Sequence, residues 1–232
     1  MEITPIIEKY LNEITTDEFH RYKSWENCYQ AFKVSTQSEI LTLELAFYLA
    51  SWGMYRGSSG LLQKNHLIHR GVVDILFFEQ NRKLKCNQSY EVTRNNIKEI
   101  LDLKAKLADH YSKISFKKGA DNSKPISPTD TLLSKILLGT LGCIPAYDRY
   151  FIVGLKEMNM KHTLFNDASI NELFDFIDRN KIKLENAQKL ILSKEKKYYP
   201  IMKILDMYFW QIGYDKEIKD KKEKQNNSKT QL

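Results

Sequence analysis

The stretch at 127–156 reads SPTDTLLSKILLGTLGCIPAYDRYFIVGLK, and it predicts two short helices joined by a turn. Ser127 is a good N-cap, Pro128 suits the first helical position, and Asp130 stands where a capping box places its acid. Leucine and isoleucine then recur at helical spacing as far as Gly142, where we expect the first helix to end.

The second helix of this stretch can open at Pro145, which is suited to a first helical position. Its first turn then holds Tyr147, Asp148 and Arg149. A helix N-terminus carries a partial positive charge, so an acid is favourable there. We therefore expect Asp148 to lie just past the turn, facing a positive helix end.

This layout resembles the helix-hairpin-helix DNA glycosylase superfamily, whose pattern is L-P-G-(V/I)-G-x-x-T-A, an apolar helix, and then D-x-x-V-x-R. Pro125, Thr131 and Asp148 are in register with that pattern. The hairpin glycines are replaced by Ile126 and Pro128, which alters the backbone amides that would hold a DNA phosphate. The resemblance implies two helical lobes with an active site between them and Asp148 as the catalytic residue.

The resemblance also implies a particular reaction. Asp130 stands where the lyase members of the family carry a lysine that attacks the sugar. The implied enzyme is therefore monofunctional and hydrolyses the N-glycosidic bond, with Asp148 orienting water and offsetting charge on an oxocarbenium-like sugar. The target would be a base in DNA, modified or not, in repair or in defence against phages. The structural alternative is that Asp148 only caps a helix and pairs with Arg149 or Arg56.

A second stretch of interest is ASWGMYRGSSGLLQ at 50–63, in which three glycines bracket one arginine and two serines. Glycines permit close approach to the backbone, and a helix that starts near Ser59 would point free amides outward. Arg56, Ser58 and Ser59 are therefore candidate phosphate or nucleotide contacts, with an ordinary kinked junction as the alternative. We predict that this turn faces the same cleft as Asp148.

Base removal requires an extruded nucleotide, a wall for its base and contacts to the DNA backbone. Candidates for substrate contact near the two stretches are Trp52, Tyr55, Arg56, Ser58, Ser59 and Tyr147, with Tyr150 as a further aromatic. Candidates for contact with DNA are Ser127, Thr129, Lys135 and Arg149. Core packing is the alternative for the aromatic residues, because a chain with 13 Tyr and 11 Phe brings such neighbours together readily.

Helical periodicity extends through the chain without convincing period-two alternation, so the predicted class is all-α. We expect a two-lobed bundle of about ten helices around a central element like a helix-hairpin-helix. The predicted globular unit is 1–214, with a lobe boundary at the loop 115–124, which reads SFKKGADNSK. The segment 215–232 carries six lysines and four acids with almost no apolar residues, so we expect a charged tail that frays.

The three cysteines, Cys28, Cys86 and Cys143, form no C-x-x-C pair, which argues against a disulfide framework and a zinc or iron–sulfur site. His66 and His69 could bind a metal, but no H-E-x-x-H pattern accompanies them, and we expect no cofactor. No apolar run reaches the roughly 18 residues of a membrane span, and the start of the chain lacks a signal-peptide pattern. We expect a soluble, cytoplasmic protein without a membrane partner.

The net charge of +7, from 36 basic and 29 acidic residues, is compatible with DNA as the partner. A second class of function fits the same composition: a non-catalytic all-α module that binds nucleic acid or a nucleotide. The two classes differ in whether Asp148 lines a cleft or lies on a convex surface. The sequence does not define an oligomeric state.

Overall fold

The structure is a computed structural model that describes residues 2–56, 59–117 and 123–229, with side chains described as far as residue 225. Within these ranges the α-helices are α1 (Ile3–Thr16), α2 (Lys23–Val34), α3 (Ser38–Ser51), α4 (Arg70–Phe77), α5 (Glu79–Arg82), α6 (Ile97–Ser112), α7 (Asp130–Thr140), α8 (Arg149–Glu157), α9 (Asp167–Glu195) and α10 (Ile201–Lys229). Short 3-10 helices are Leu61–Gln63, His66–His69 and Arg94–Asn96. The prediction of an all-α class is confirmed.

One small antiparallel sheet lies at the predicted loop, and its strands are β1 (Ser115–Lys117) and β2 (Ser123–Pro125). Phe116 pairs with Lys124 in the ladder, and its ring covers the turn at Gly60. Each strand has only three residues, too few for an alternating pattern to be recognised in the sequence. The lobe boundary predicted here stays a prediction.

The two helices of the central stretch begin later than the sequence predicts. Thr129 caps α7, because its side chain accepts a hydrogen bond from the Leu132 amide at 3.2 Å. The assignment of Ser127 as this cap was therefore wrong. Asp148 is itself the N-cap of α8, so Pro145 lies in the connecting loop rather than in the helix.

Buried apolar side chains from Ile3 to Ile212 form one core cluster that includes residues from both sides of the β1–β2 hairpin. Helix α10 is central to it, because every residue from Met202 to Ile212 is buried. A run buried on all sides is the mark of a helix enclosed by other helices. The core therefore surrounds the first half of α10.

Helices α8 and α10 approach each other through two glycines. A Cβ at Gly154 would overlap the backbone carbonyl of Phe209, and a Cβ at Gly213 would overlap that of Tyr150. Only glycine at both positions allows the two backbones to touch. This contact sets Tyr150 of α8 beside Trp210 of α10, with ring centroids 5.1 Å apart.

The segment predicted as a frayed tail continues α10 as far as Lys229. Two of its acids contact the rest of the protein: Asp215 accepts from the Lys9 ammonium at 2.5 Å, and Glu217 pairs with Arg149. A helix that is already nucleated by a buried segment extends at little cost, and charge pairs four residues apart support it. The fraying predicted for 215–232 stays a prediction.

Among the described residues, no helix is both long enough and apolar enough to cross a membrane. Cys28, Cys86 and Cys143 are all buried with free thiols.

Candidate functional site

Helix α7 fixes the loop that leads into α8. The Thr131 hydroxyl donates to the Tyr147 carbonyl at 2.9 Å, and the Ser134 hydroxyl accepts from the Tyr147 amide at 2.8 Å. The backbone carbonyl and amide of Tyr147 are therefore both hydrogen-bonded by side chains that lie one turn apart on α7. These bonds set the position of the next residue, Asp148.

A buried charge pair on α10 fixes the same loop from the opposite side. Asp206 accepts from the Ala146 amide at 3.0 Å and from the Lys203 ammonium at 2.8 Å. The Lys203 and Asp206 side chains are 2% and 6% exposed, so the pair is removed from water. Sequence analysis missed this pair, because nothing in the pattern of α10 distinguishes its two buried charges from surface ones.

Asp148 caps α8 with one of its carboxylate oxygens. Its Oδ1 accepts from the amides of Tyr150 and Phe151 at 3.1 and 3.2 Å. These amides are unpaired within the helix, so the carboxylate satisfies them and also faces the positive helix end. The capping role of Asp148 is present in the structure.

The other oxygen of Asp148 binds a buried lysine. Its Oδ2 accepts from Lys135 Nζ at 2.7 Å, and the two side chains are 14% and 3% exposed, respectively. The Lys135 ammonium also lies 4.8 Å from the ring centroid of Trp52. The predicted partners, Arg56 and Arg149, are not those that the structure gives to Asp148. Lys135, a candidate DNA contact, instead points inward to the carboxylate.

A cleft of about 480 Å³ opens beside Asp148, and we call it the Asp148 cleft. Six of the candidate residues line it: Trp52, Arg56, Lys135, Asp148, Arg149 and Tyr150. It is also lined by Arg21 and Trp210, together with Thr131 and residues 50, 51, 53 and 54. The structure therefore brings the second stretch of interest and Asp148 to one concave site.

A smaller depression of about 280 Å³ adjoins this cleft, and we call it the Ser127 groove. Arg56 and Thr131 line both, whereas Ser59, Ser127 and Thr129 line the groove alone. Three candidate residues that do not reach Asp148 are thus placed next to it.

The turn that carries Arg56 is held by its own hydrogen bonds. Arg56 Nε donates to the Gly53 carbonyl at 2.5 Å, and Gly53 has a left-handed φ of 70°. The Ser59 hydroxyl contacts the carbonyls of Met54 and Arg56, each at 2.8 Å. The bond to Gly53 orients the guanidinium, and the Ser59 bonds hold the backbone of the turn. The candidate Ser58 lies outside the described residues.

Two of the aromatic candidates do not reach the cleft. Tyr147 is buried, stacks on Phe165 with ring centroids 5.1 Å apart, and shares a hydrogen bond with Ser169 at 2.9 Å. The Tyr55 hydroxyl points to a different residue and shares a hydrogen bond with His69 Nε2 at 2.7 Å. For Tyr147 the structure matches the core-packing alternative.

Other aromatic residues form the wall of the cleft. Trp52 stacks on Tyr22 with centroids 5.4 Å apart, and its ring also lies under the Arg21 guanidinium at 5.2 Å. Tyr150 and Trp210 meet edge to face across the α8–α10 contact. Trp52 and Tyr150 are both aromatic candidates from the sequence, whereas no local signal links Arg21 or Trp210 to Asp148.

The lining of the Asp148 cleft is predominantly basic. Arg21, Arg56, Lys135 and Arg149 contribute four cations, and Asp148 contributes the one acid. Part of this charge is neutralised, because Asp148 pairs with Lys135 and Glu217 pairs with Arg149. Among the described residues, Arg21 and Arg56 form no ion pair. A cleft with this excess of positive charge attracts anionic ligands.

No metal site accompanies the cleft. Among the described residues, no group of three or more His, Cys, Asp or Glu side chains could hold a metal ion. His69 is fully buried, and its ring nitrogens bind the hydroxyls of Tyr55 and Tyr111. Burial lowers the pKa of His69 to about 3, with smaller contributions from the neighbouring His110 and His66.

The chain matches no family model, no curated protein and no solved structure.

Proposed function

We propose that the Asp148 cleft takes a nucleotide extruded from DNA and that Asp148 promotes hydrolysis of its N-glycosidic bond. The observation that carries the proposal is the convergence of three features on one cleft of about 480 Å³: a carboxylate, an aromatic wall, and two arginines, Arg21 and Arg56, that form no ion pair with any described residue. An enzyme that acts on a base needs these parts together, because the base must leave the stack and be held against a wall. The proposal also draws on the glycosylase resemblance, in which an apolar helix and a short run precede the catalytic aspartate.

The parts of the cleft have distinct roles in this proposal. Trp52, Tyr150 and Trp210 provide aromatic surface for the extruded base. Arg56 and Arg21 contact the phosphates on either side of it. Ser127 and Thr129 line the adjoining groove, and in this proposal the DNA strand continues along it.

Asp148 is suited to electrostatic catalysis by its fixed position. Two amides and one ammonium hold its carboxylate in a single orientation. A carboxylate has about four lone-pair sites, and three are occupied, so one is left for the attacking water. A preorganised negative charge beside the sugar stabilises positive charge that develops in the transition state.

The proposed enzyme is monofunctional. Asp130, at the position of the lyase lysine, pairs with Lys104 at 2.6 Å and accepts from the Phe165 amide at 3.2 Å. It offers no amine to the sugar. The lysine nearest to Asp148 is Lys135, and its ammonium is engaged in the buried pair.

A second candidate function is a non-catalytic module that binds nucleic acid or a nucleotide in the same cleft. It is favoured by one observation: both oxygens of Asp148 already have structural partners. In that case Asp148 holds α7 to α8 and shapes the cleft, and the arginines bind phosphate. The two functions agree on the site and differ in whether a bond is broken.

Duplex and single-stranded DNA carrying varied modified bases, incubated with the protein and then treated with alkali, test the proposal directly. Alkali cleaves abasic sites, so a glycosylase yields cut strands only after it has acted. Asp148→Asn should keep DNA binding and lose excision by roughly a hundredfold to a thousandfold, the usual cost of one electrostatic contact. The matched control is Asp109→Asn, which changes an exposed acid whose ion pair, among the described residues, is with Lys113. DNA binding without strand cleavage on any substrate would favour the binding module.

A further inference from the structure

A second concave site surrounds Lys85, and we call it the Lys85 pocket. It has a volume of about 640 Å³ and shares no lining residue with the Asp148 cleft. Its wall is apolar and aromatic, formed by Phe32, Leu76, Phe77 and Leu141. A concave, largely apolar site with a few convergent polar groups is the usual form of a small-molecule site.

Lys85 is the polar group at the inner side of this pocket. Its ammonium donates to the Thr140 carbonyl at 2.5 Å and to the Tyr29 carbonyl at 3.2 Å. It also lies 4.2 Å from the ring centroid of Tyr29. A lysine ammonium has three donors, so these two bonds leave one for a further acceptor.

The partners of Lys85 do not balance its charge. Both hydrogen-bond acceptors are neutral carbonyls, one of them at the C-terminal end of α7. Within the described part of the chain, Lys85 forms no ion pair and the Lys85 pocket has no acidic lining residue. A largely buried ammonium without a counter-charge is costly, so an anion in the pocket would be stabilised by it.

Three further cations surround the opening of the pocket: Lys33, Arg82 and Lys83. The Arg82 guanidinium lies 5.4 Å from the ring centroid of Phe77, and Lys83 reaches Glu99 only at 3.9 Å. The rim is therefore positively charged around an apolar interior. This combination selects a ligand by charge as well as by shape.

We propose that the Lys85 pocket binds a small organic anion with an apolar body. The body covers the wall formed by Phe32 and Phe77, and a carboxylate, sulfonate or phosphate oxygen accepts the remaining hydrogen bond from Lys85 Nζ. The basic rim disfavours cationic ligands and adds to the attraction of anionic ones. The Lys85 pocket is separate from the Asp148 cleft, so this proposal does not depend on base excision.

The neighbours of Lys85 make this binding dependent on pH. The pKa of Lys85 is lowered to about 7, and burial is the largest cause. The thiols of Cys28 and Cys86 oppose this shift, the like charge of Lys33 adds to it, and Cys143 opposes it. Burial raises the pKa of all three thiols, that of Cys143 to about 12. Burial likewise raises the pKa of Tyr29 and Tyr90. Of Lys85, these thiols and these tyrosines, Lys85 is the group whose pKa lies between pH 6 and pH 9.

Two fluorescent probes with the same apolar body test the proposal on the unmodified protein. The anion is 8-anilinonaphthalene-1-sulfonate, and N-phenyl-1-naphthylamine lacks the sulfonate. Affinity for the anion should fall by about tenfold for each pH unit from 7.5 to 9, because only protonated Lys85 binds it. Affinity for the neutral probe should stay constant. No saturable binding of the anion, or the same pH profile for both probes, would overturn the proposal.

A pair of substitutions locates the binding. Lys85→Met should weaken binding of the sulfonate probe at pH 6.5 by tenfold or more and leave the neutral probe within twofold. Lys98→Met, the same change on an exposed face of α6, should alter neither. Equal affinity of wild type and Lys85→Met for the sulfonate would place the anion elsewhere and overturn the assignment. If Lys85→Met does not fold, the pH comparison on the unmodified protein decides.

Discussion

Lys135 Nζ and Asp148 Oδ2 lie 2.7 Å apart and join the middle of α7 to the N-terminus of α8. With the two side chains 3% and 14% exposed, this ion pair is largely removed from water. A buried charge that loses its partner is strongly destabilising, so each residue of the pair depends on the other. The pair therefore connects the stability of the protein to the geometry of the Asp148 cleft.

The first prediction concerns the stability of this pair. Asp148→Asn keeps the helix cap but leaves the Lys135 ammonium buried without its counter-charge, which should cost about 3 to 5 kcal/mol. The double variant Asp148→Asn/Lys135→Met removes that unpaired charge and should recover most of the loss. Urea denaturation measures the free energy of unfolding of wild type, of each single variant and of the double variant. If the two substitutions destabilise additively, the ion pair does not have this role.

The same variants separate stability from chemistry. If Asp148 stabilises the transition state, the double variant should stay inactive on DNA although its stability has returned. Activity per folded molecule equal to that of wild type would limit Asp148 to a structural role.

The second prediction concerns Arg56, which lines both the Asp148 cleft and the Ser127 groove. Arg56→Ala should weaken DNA binding and lower the slope of log affinity against log salt by about 0.9, the contribution of one phosphate contact. Arg179→Ala is the matched control, because Arg179 is an exposed arginine whose Nε also donates to a backbone carbonyl. Fluorescence anisotropy at two salt concentrations measures the slopes. Equal slopes for wild type and Arg56→Ala would remove Arg56 from the DNA interface.

The third prediction concerns the reaction product. With Asp130 in place of the lyase lysine, borohydride added during turnover should trap no covalent complex between protein and DNA. Gel electrophoresis with labelled DNA detects such a complex, and peptide mapping would identify the attacking lysine. A complex through Lys135 would show that the lysine beside Asp148 acts as the nucleophile and would refute the monofunctional assignment.

The fourth prediction concerns the contact between α8 and α10. Gly154→Ala would place a methyl group against the Phe209 carbonyl, and a backbone atom cannot rotate away. Overpacking typically costs about 1 to 3 kcal/mol, more than the roughly 1 kcal/mol that alanine gains over glycine in a helix. We therefore expect a lower melting temperature. An unchanged or raised melting temperature would show that the two helices can separate at no cost.

The fifth prediction concerns the pH dependence of stability. The pKa of His69 is about 3 in the folded protein, below the value of about 6.5 for a free histidine. Between these values the unfolded state binds a proton that the folded state does not, so stability falls as the pH falls below about 6.5. The expected loss from His69 at pH 4.5 is about 2 to 3 kcal/mol. Denaturation of wild type and His69→Gln at pH 7 and pH 4.5 measures it, and equal losses in both would exclude His69 as the cause.

The sequence by itself determined the all-α class and the position of Asp148 at the start of a helix. Both depend on local rules, because helical periodicity and capping are set by residues within a few positions of one another. The same rules failed on finer points. Thr129 rather than Ser127 caps α7. Both residue types are good N-caps, and the backbone conformation before the helix decides which of them occupies the cap position. The short β1–β2 sheet was also missed, because three-residue strands carry no pattern.

Only the tertiary structure decided which side chains surround Asp148. Lys135 has the sequence character of a surface lysine on an amphipathic helix, yet α3 packs against α7, and Trp52 and the N-cap residue Asp148 cover the ammonium. Tyr147 turns inward, while Arg21 and Trp210 reach the cleft from distant parts of the chain. These contacts depend on how helices pack, and packing depends on the whole core rather than on neighbours in sequence. The tertiary fold therefore decides which residues line the Asp148 cleft.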